Sequence, residues 1–130
     1  MGIFFSEIAN QPPTIIYVLG QSLSVITEKT NFRLGEPIPI KIVNSGTIPL
    51  TFSDASYGLK IKQLDGLVLY SPISAQVISV LKPEEEKVFV WNQTKSDGSK
   101  IIEGRYNIVS STDPSSGNVL KKSITINILK

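Results

Sequence analysis

The chain has no cysteine and no histidine among its 130 residues. Without cysteine there is no disulfide scaffold and no thiol nucleophile. Without histidine a Ser–His–Asp triad, a zinc site and a two-histidine facial triad are excluded, and the ordinary pH switch is missing. The lack of bridges does not fix the redox compartment, since exported proteins also fold without them. Excess charge of one sign is missing too: 13 Lys and Arg against 11 Asp and Glu leave a net +2. These charges are interspersed, so no basic stripe exists to displace counterions from nucleic acid. No apolar run approaches the ~20 residues of a membrane-spanning helix.

What is present is 41% apolar residues in short, dispersed runs. A chain of this length is one domain and buries roughly two-thirds of the surface its unfolded form exposes. Met1-Gly2-Ile3-Phe4-Phe5-Ser6 formally fits the myristoylation pattern, although a plain chain start explains it as well. Pro12-Pro13 holds the backbone extended. The expected organisation is an extended segment over 1–12 and a single domain over 13–130.

The stretch Gly35–Phe52 sets the pattern for that domain. Ile38, Ile40 and Ile42 alternate with Pro39, Lys41 and Val43, the period of a strand with one buried face. Asn44-Ser45-Gly46 supplies residues that tolerate positive φ, and Leu50 and Phe52 restart the alternation, which predicts a two-strand ladder. Thr14–Leu19 and Ser22–Thr30 read as strands before it. Tyr57–Gln63 and Leu67–Tyr70 follow, with Asp65-Gly66 between them as a two-residue type I′ hairpin turn. Ala75–Leu81, Lys87–Trp91, Gly104–Ser110 and Val119–Leu129 complete the series, the last with Ile124, Ile126 and Ile128 on one side. Extended runs recur about every 8–14 residues between Gly, Pro, Asn, Asp and Ser, and no helical period competes. The fold class is all-β, an immunoglobulin-like antiparallel β-sandwich of about 7–9 strands.

No reaction is recognisable, so catalytic, cofactor-binding and metal residues are all read as none. Glu84–Glu86 is a run of three carboxylates, but consecutive residues on a strand or turn point in different directions and do not converge on a cation. Asp54, Asp65, Asp97 and Asp113 each sit among turn residues. Asn92-Gln93-Thr94 is an N-x-T glycosylation acceptor directly after a strand. The most informative feature is a break in the alternation: Leu67–Tyr70, Val77–Leu81 and Lys87–Trp91 are apolar on both faces. One reading is that these are central strands with a few tolerated surface apolars. The other gathers Val68, Tyr70, Phe89 and Trp91 on one outer face as a patch covered by a partner, an isologous homodimer by default.

With the strands placed, two resemblances stand out. Gly35-Glu36-Pro37-Ile38, Asn44-x-Gly46, Pro49-Leu50-x-Phe52, Tyr57-x-Leu59-x-Ile61, Leu81-x-Pro83-x-Glu85, Trp91 and Gly104-x-Tyr106 resemble the sandwich of BsuPI-type proteinase inhibitors over residues 32–110. That resemblance implies inhibition through an exposed loop, for which Thr94–Lys100 and Asp54–Tyr57 are the candidates. The whole chain, with its Ile- and Lys-rich strands and no Cys or His, is also similar in character to the soluble domain of the archaellum accessory (stator) protein FlaF family. This second resemblance implies a non-enzymatic homodimer between cell membrane and surface layer. Its partners would be itself, the surface-layer protein and other archaellum components, with no nucleic acid. Membrane contact would run only through an upstream helix absent from this chain.

Overall fold

The computed structural model describes residues 14–130. Among these, ten strands and one 3-10 turn succeed one another without an α-helix. The strands are β1 (Leu23–Ile26), β2 (Asn31–Arg33), β3 (Ile38–Asn44), β4 (Leu50–Phe52), β5 (Lys60–Gln63), β6 (Val68–Tyr70), β7 (Ser79–Leu81), β8 (Glu86–Trp91), β9 (Gly104–Ser111) and β10 (Lys121–Leu129). One sheet has the order β1-β3-β8, the other β2-β10-β9-β5-β6, and β4 and β7 form a separate ribbon. Neighbours are antiparallel except β2 and β10, which run parallel because the chain crosses from the first sheet to the second between β1 and β2.

The inward rows of the two sheets close on one core. Ile38, Ile40 and Ile42 of β3 and Trp91 of β8 lie in a single cluster with Ile61 of β5, Tyr106 and Ile108 of β9, and Ile126 and Ile128 of β10. The rows are set by strand alternation and hold mostly β-branched aliphatics, which suit a half-buried pleated surface. Tyr106 stands near the start of β9, and its hydroxyl donates to the Ile102 carbonyl at 2.6 Å. This link to the backbone a few residues upstream is the tyrosine corner of immunoglobulin-like sandwiches. The architecture is therefore the all-β sandwich read from the sequence, with ten strands among the described residues where about 7–9 were expected, and with β2 as an edge strand that the alternation does not mark.

Three local expectations are corrected. The segment Gly35–Phe52 is two strands, but they are not each other's partners: β3 pairs with β1 and β8, and β4 pairs with β7. The side chain of the buried Asn44 is the reason. Its amide donates to the carbonyls of Ile48 and Leu81 while its oxygen accepts from Gly46 N–H, which ties the end of β3 to the following turn and to β7 instead of to β4. Gly46 does not have the positive φ expected of it. It is needed because a Cβ there would lie 2.1 Å from the Gly20 carbonyl oxygen.

Thr14–Leu19 is not a strand. Val18 N–H donates to the Ser45 carbonyl, but no ladder forms, and β-propensity without a partner strand does not make one. Asp65-Gly66 does close a hairpin between β5 and β6, though as a three-residue loop. Gln63 N–H donates to Leu67 O and Gly66 N–H to Gln63 O, and only Gly66 has positive φ. That is a type I turn followed by a glycine bulge rather than type I′. The extended segment and the myristoylation pattern placed on residues 1–12 lie outside the described residues.

Candidate functional site

β8 is the outermost strand of its sheet, and its residues divide cleanly between the two faces. Trp91 is 1% exposed, its indole N–H donating to the Thr94 carbonyl and its ring lying 6.3 Å from Tyr70 and 6.1 Å from Tyr106. Phe89 is partly buried against the core and meets Tyr57 at 6.5 Å. Tyr70 is also partly buried against the core. Of the four residues expected to share an outer patch, only Val68 is exposed. Trp91, Phe89 and Tyr70 are drawn inward, because the largest rings of the chain fill the space between the sheets.

The exposed apolar row on β8 consists of the residues between them. Val88 and Val90 are each 52% exposed, and Val80 on β7 faces outward between the buried Leu81 and the half-buried Ser79. Sequence reading found the right strand and the wrong parity. The pairing sets the parity: Ile38 faces the core, Ile38 pairs with Trp91, and paired residues share a face.

The backbone of β8 follows the same division. Asn44 N–H donates to Glu85 O and Glu84 N–H to Asn44 O, so the even-numbered residues of β3 bond toward β8. Their partners Lys87, Phe89 and Trp91 use their peptide groups on β3. The peptide groups of Val88 and Val90 consequently point to the other edge, which carries no partner strand among the described residues. Pro39 fits this parity, for its missing N–H faces the side of β1, and β1 already stops pairing at Lys41.

The other singled-out residues are dispersed. Asn92 is exposed immediately after β8, while Gln93 beside it is buried with φ 58°. The Gln93 amide donates to the carbonyls of Arg33 and Glu36 and its oxygen accepts from Gly35 N–H, bracing the turn between β2 and β3. In the acidic run, Glu84 has φ 67° in a turn, Glu85 accepts from Lys82 N–H, and Glu86 lies 3.6 Å from Lys41. The Glu85 and Glu86 carboxylates thus go to separate partners.

Neither loop considered for protease inhibition is extended. Thr94–Lys100 is a tight hairpin closed by a Thr94–Lys100 bridge, with Lys95 N–H on Ser99 O and Asp97 accepting from Ser99. Asp54–Tyr57 folds back on itself: Asp54 accepts from the hydroxyl and N–H of Ser56, and Tyr57 has φ 52°. The Ser56 contacts hold the Asp54 carboxyl below the usual carboxylate range.

Comparison with known proteins adds little to this geometry. No protein-family profile matches the chain, and no curated protein matches it. Among solved structures it is similar to the CARDB domain of a Pyrococcus furiosus protein in complex with di-metal ions. The two share 16% identity at a TM-score of 0.48, over 90% of this chain and 95% of that one. The ions belong to that protein. What the present chain's own ladders establish is an all-β, immunoglobulin-like sandwich.

Proposed function

We propose that this protein is a non-enzymatic interaction module that works through the free edge of β8. The observation that carries the reading is the outward Val88–Val90 pair on a terminal strand whose peptide groups at the same two residues have no ladder partner among the described residues. A flat edge of this kind is a template for another strand, and natural sheets usually blunt it with charge, proline or a bulge. The occupant is a second copy of the chain. Two β8 strands laid antiparallel about a two-fold axis join two three-stranded sheets into one and bring the four valines side by side as cross-strand neighbours.

The setting that suits such a dimer is the one implied by the resemblance to the FlaF family: an envelope domain outside the cytoplasm that anchors an archaeal motility filament by binding the surface-layer protein. A β-sandwich passes load through many ladder hydrogen bonds while its edges and outer faces remain available. Sedimentation equilibrium tests the dimer, and capture of purified surface-layer protein by the immobilised chain tests the setting. A dimer that captures nothing leaves the edge reading standing and removes the envelope one.

A further inference from the structure

The second sheet turns a different surface outward. Lys60 and Lys62 lie on β5, with Lys60 opposite Val109 and Lys62 opposite Asn107 of β9. Lys121 of β10 stands opposite Ser111, on the other side of the same strand. Val109 belongs to this outer row, since its neighbours Ile108 and Tyr106 set the inward one, yet it is only 5% exposed. Long lysine stems cover apolar side chains in this way while holding their ammonium groups in water. Lys62 and Lys121 thus flank β9 from its two sides on one outer face.

No carboxylate pairs with this cluster among the described residues. The two ion pairs among the described residues are Lys29–Glu36 and Lys41–Glu86, and neither involves these lysines. Asn107 already uses its side-chain oxygen to accept from the Thr125 hydroxyl, which leaves its amide N–H groups as donors on the same face. Burial first, then the charges of Lys121 and Lys60, hold the Lys62 ammonium below the ordinary lysine range. Like charges so placed repel, and a bound anion relieves the repulsion.

We infer that Lys60, Lys62, Lys121 and the Asn107 amide form a surface site for a free tetrahedral oxyanion of two negative charges, of which phosphate is the type. A carboxylate has one charge and two oxygens to share among three ammoniums, whereas a phosphate dianion has enough acceptor oxygens for all of them. The site lies on the opposite sheet from β8 and does not depend on the dimer.

The test is an amide NMR titration of the whole chain with inorganic phosphate, against acetate at matched ionic strength. Saturable shifts confined to 60–62, 107–111 and 121–123, present with phosphate and weak with acetate, are the expected result. The double variant K62Q/K121Q should weaken binding by at least about tenfold, through two lost charge-assisted hydrogen bonds. Linear, non-saturating shifts, shifts spread over all lysines, or equal affinity in the double variant would overturn the site. Should that variant fail to fold, the titration of the natural chain decides alone.

Discussion

Val90 stands directly opposite Pro39 across the β3–β8 ladder, on the outside of the sandwich. The residues on either side of it, Phe89 and Trp91, turn into the core. This pair is one of the ladder's non-bonded rungs, where the N–H that proline lacks would face β1 rather than β8, and the peptide of Val90 looks away from the sheet.

Tyr106 anchors the start of β9 to the strand's own approach. Removing its hydroxyl in Tyr106→Phe leaves the ring's contact with Trp91 intact and deprives the Ile102 carbonyl of a donor. Stability should fall by about 1–2 kcal/mol, read as a lower urea midpoint at unchanged slope. An unchanged midpoint would show that water replaces the phenol at no cost.

Gly46→Ala is expected to be among the most damaging single methyls that can be added, as is Gly58→Ala against the Ser111 backbone; the Gly46 case is the cleaner test, since its φ is not positive. The new Cβ meets Gly20 O at 2.1 Å and Ser22 N at 2.7 Å, both backbone atoms that cannot swing aside. A loss of about 2–4 kcal/mol, in the range of overpacked interiors, is predicted from thermal unfolding. Gly66→Ala provides the contrast: its position has open space and only an unfavourable φ of 95°. Its cost should be about 1–2 kcal/mol. Equal losses at the two sites would refute the close-approach account of Gly46.

How far the sequence carried depends on what each signal measures. Alternation reports burial, and it located β3, β8, β9 and β10 because Ile38–Ile42, Phe89–Trp91, Tyr106–Ile108 and Ile126–Ile128 fill a common core. It does not report pairing, so the β3–β4 break was hidden in Asn44, whose three hydrogen bonds look in the sequence like an ordinary turn residue. Nor does a doubly apolar strand announce which face is inside. At β8 the aromatic side chains are the larger, and the interior took them; the valines were left out. Gln93 was invisible as a bracing residue because its partners Arg33, Gly35 and Glu36 are close only in space.

Acid should weaken the fold through a few named carboxylates. Lys29 beside Glu36 keeps its carboxyl below the ordinary range, the Ser56 hydroxyl and N–H do the same for Asp54, and the Ser115 N–H does so for Asp113. Each group has a folded pKa below its unfolded value, so the unfolded chain binds the proton more readily. Their stabilisation is complete above about pH 5 and is lost as pH falls through about 4 and below. Urea midpoints should be flat between pH 5 and 7 and decline below 4, and Ser56→Ala should raise the Asp54 pKa seen by carboxyl NMR. A midpoint that rises on acidification would contradict the assignment.

Asn92 tests the envelope setting separately from the edge. The side chain is exposed where β8 ends. Glycopeptide mass spectrometry on material from the native host should find it modified if the chain is exported. Uniformly bare Asn92 in that material removes the support it lends to an extracytoplasmic setting.

The free edge of β8 is tested most directly by sedimentation equilibrium of the natural chain beside Val88→Pro and Val88→Lys/Val90→Lys. Neither variant alters the core or a hydrogen bond between β3 and β8, so each should fold; the proline removes an edge N–H, and the lysines set like charges side by side. The account predicts a dimer for the natural chain at micromolar concentration and monomers for both variants. A natural chain that remains monomeric at high micromolar concentration, or variants that dimerise as well as it does, would contradict it.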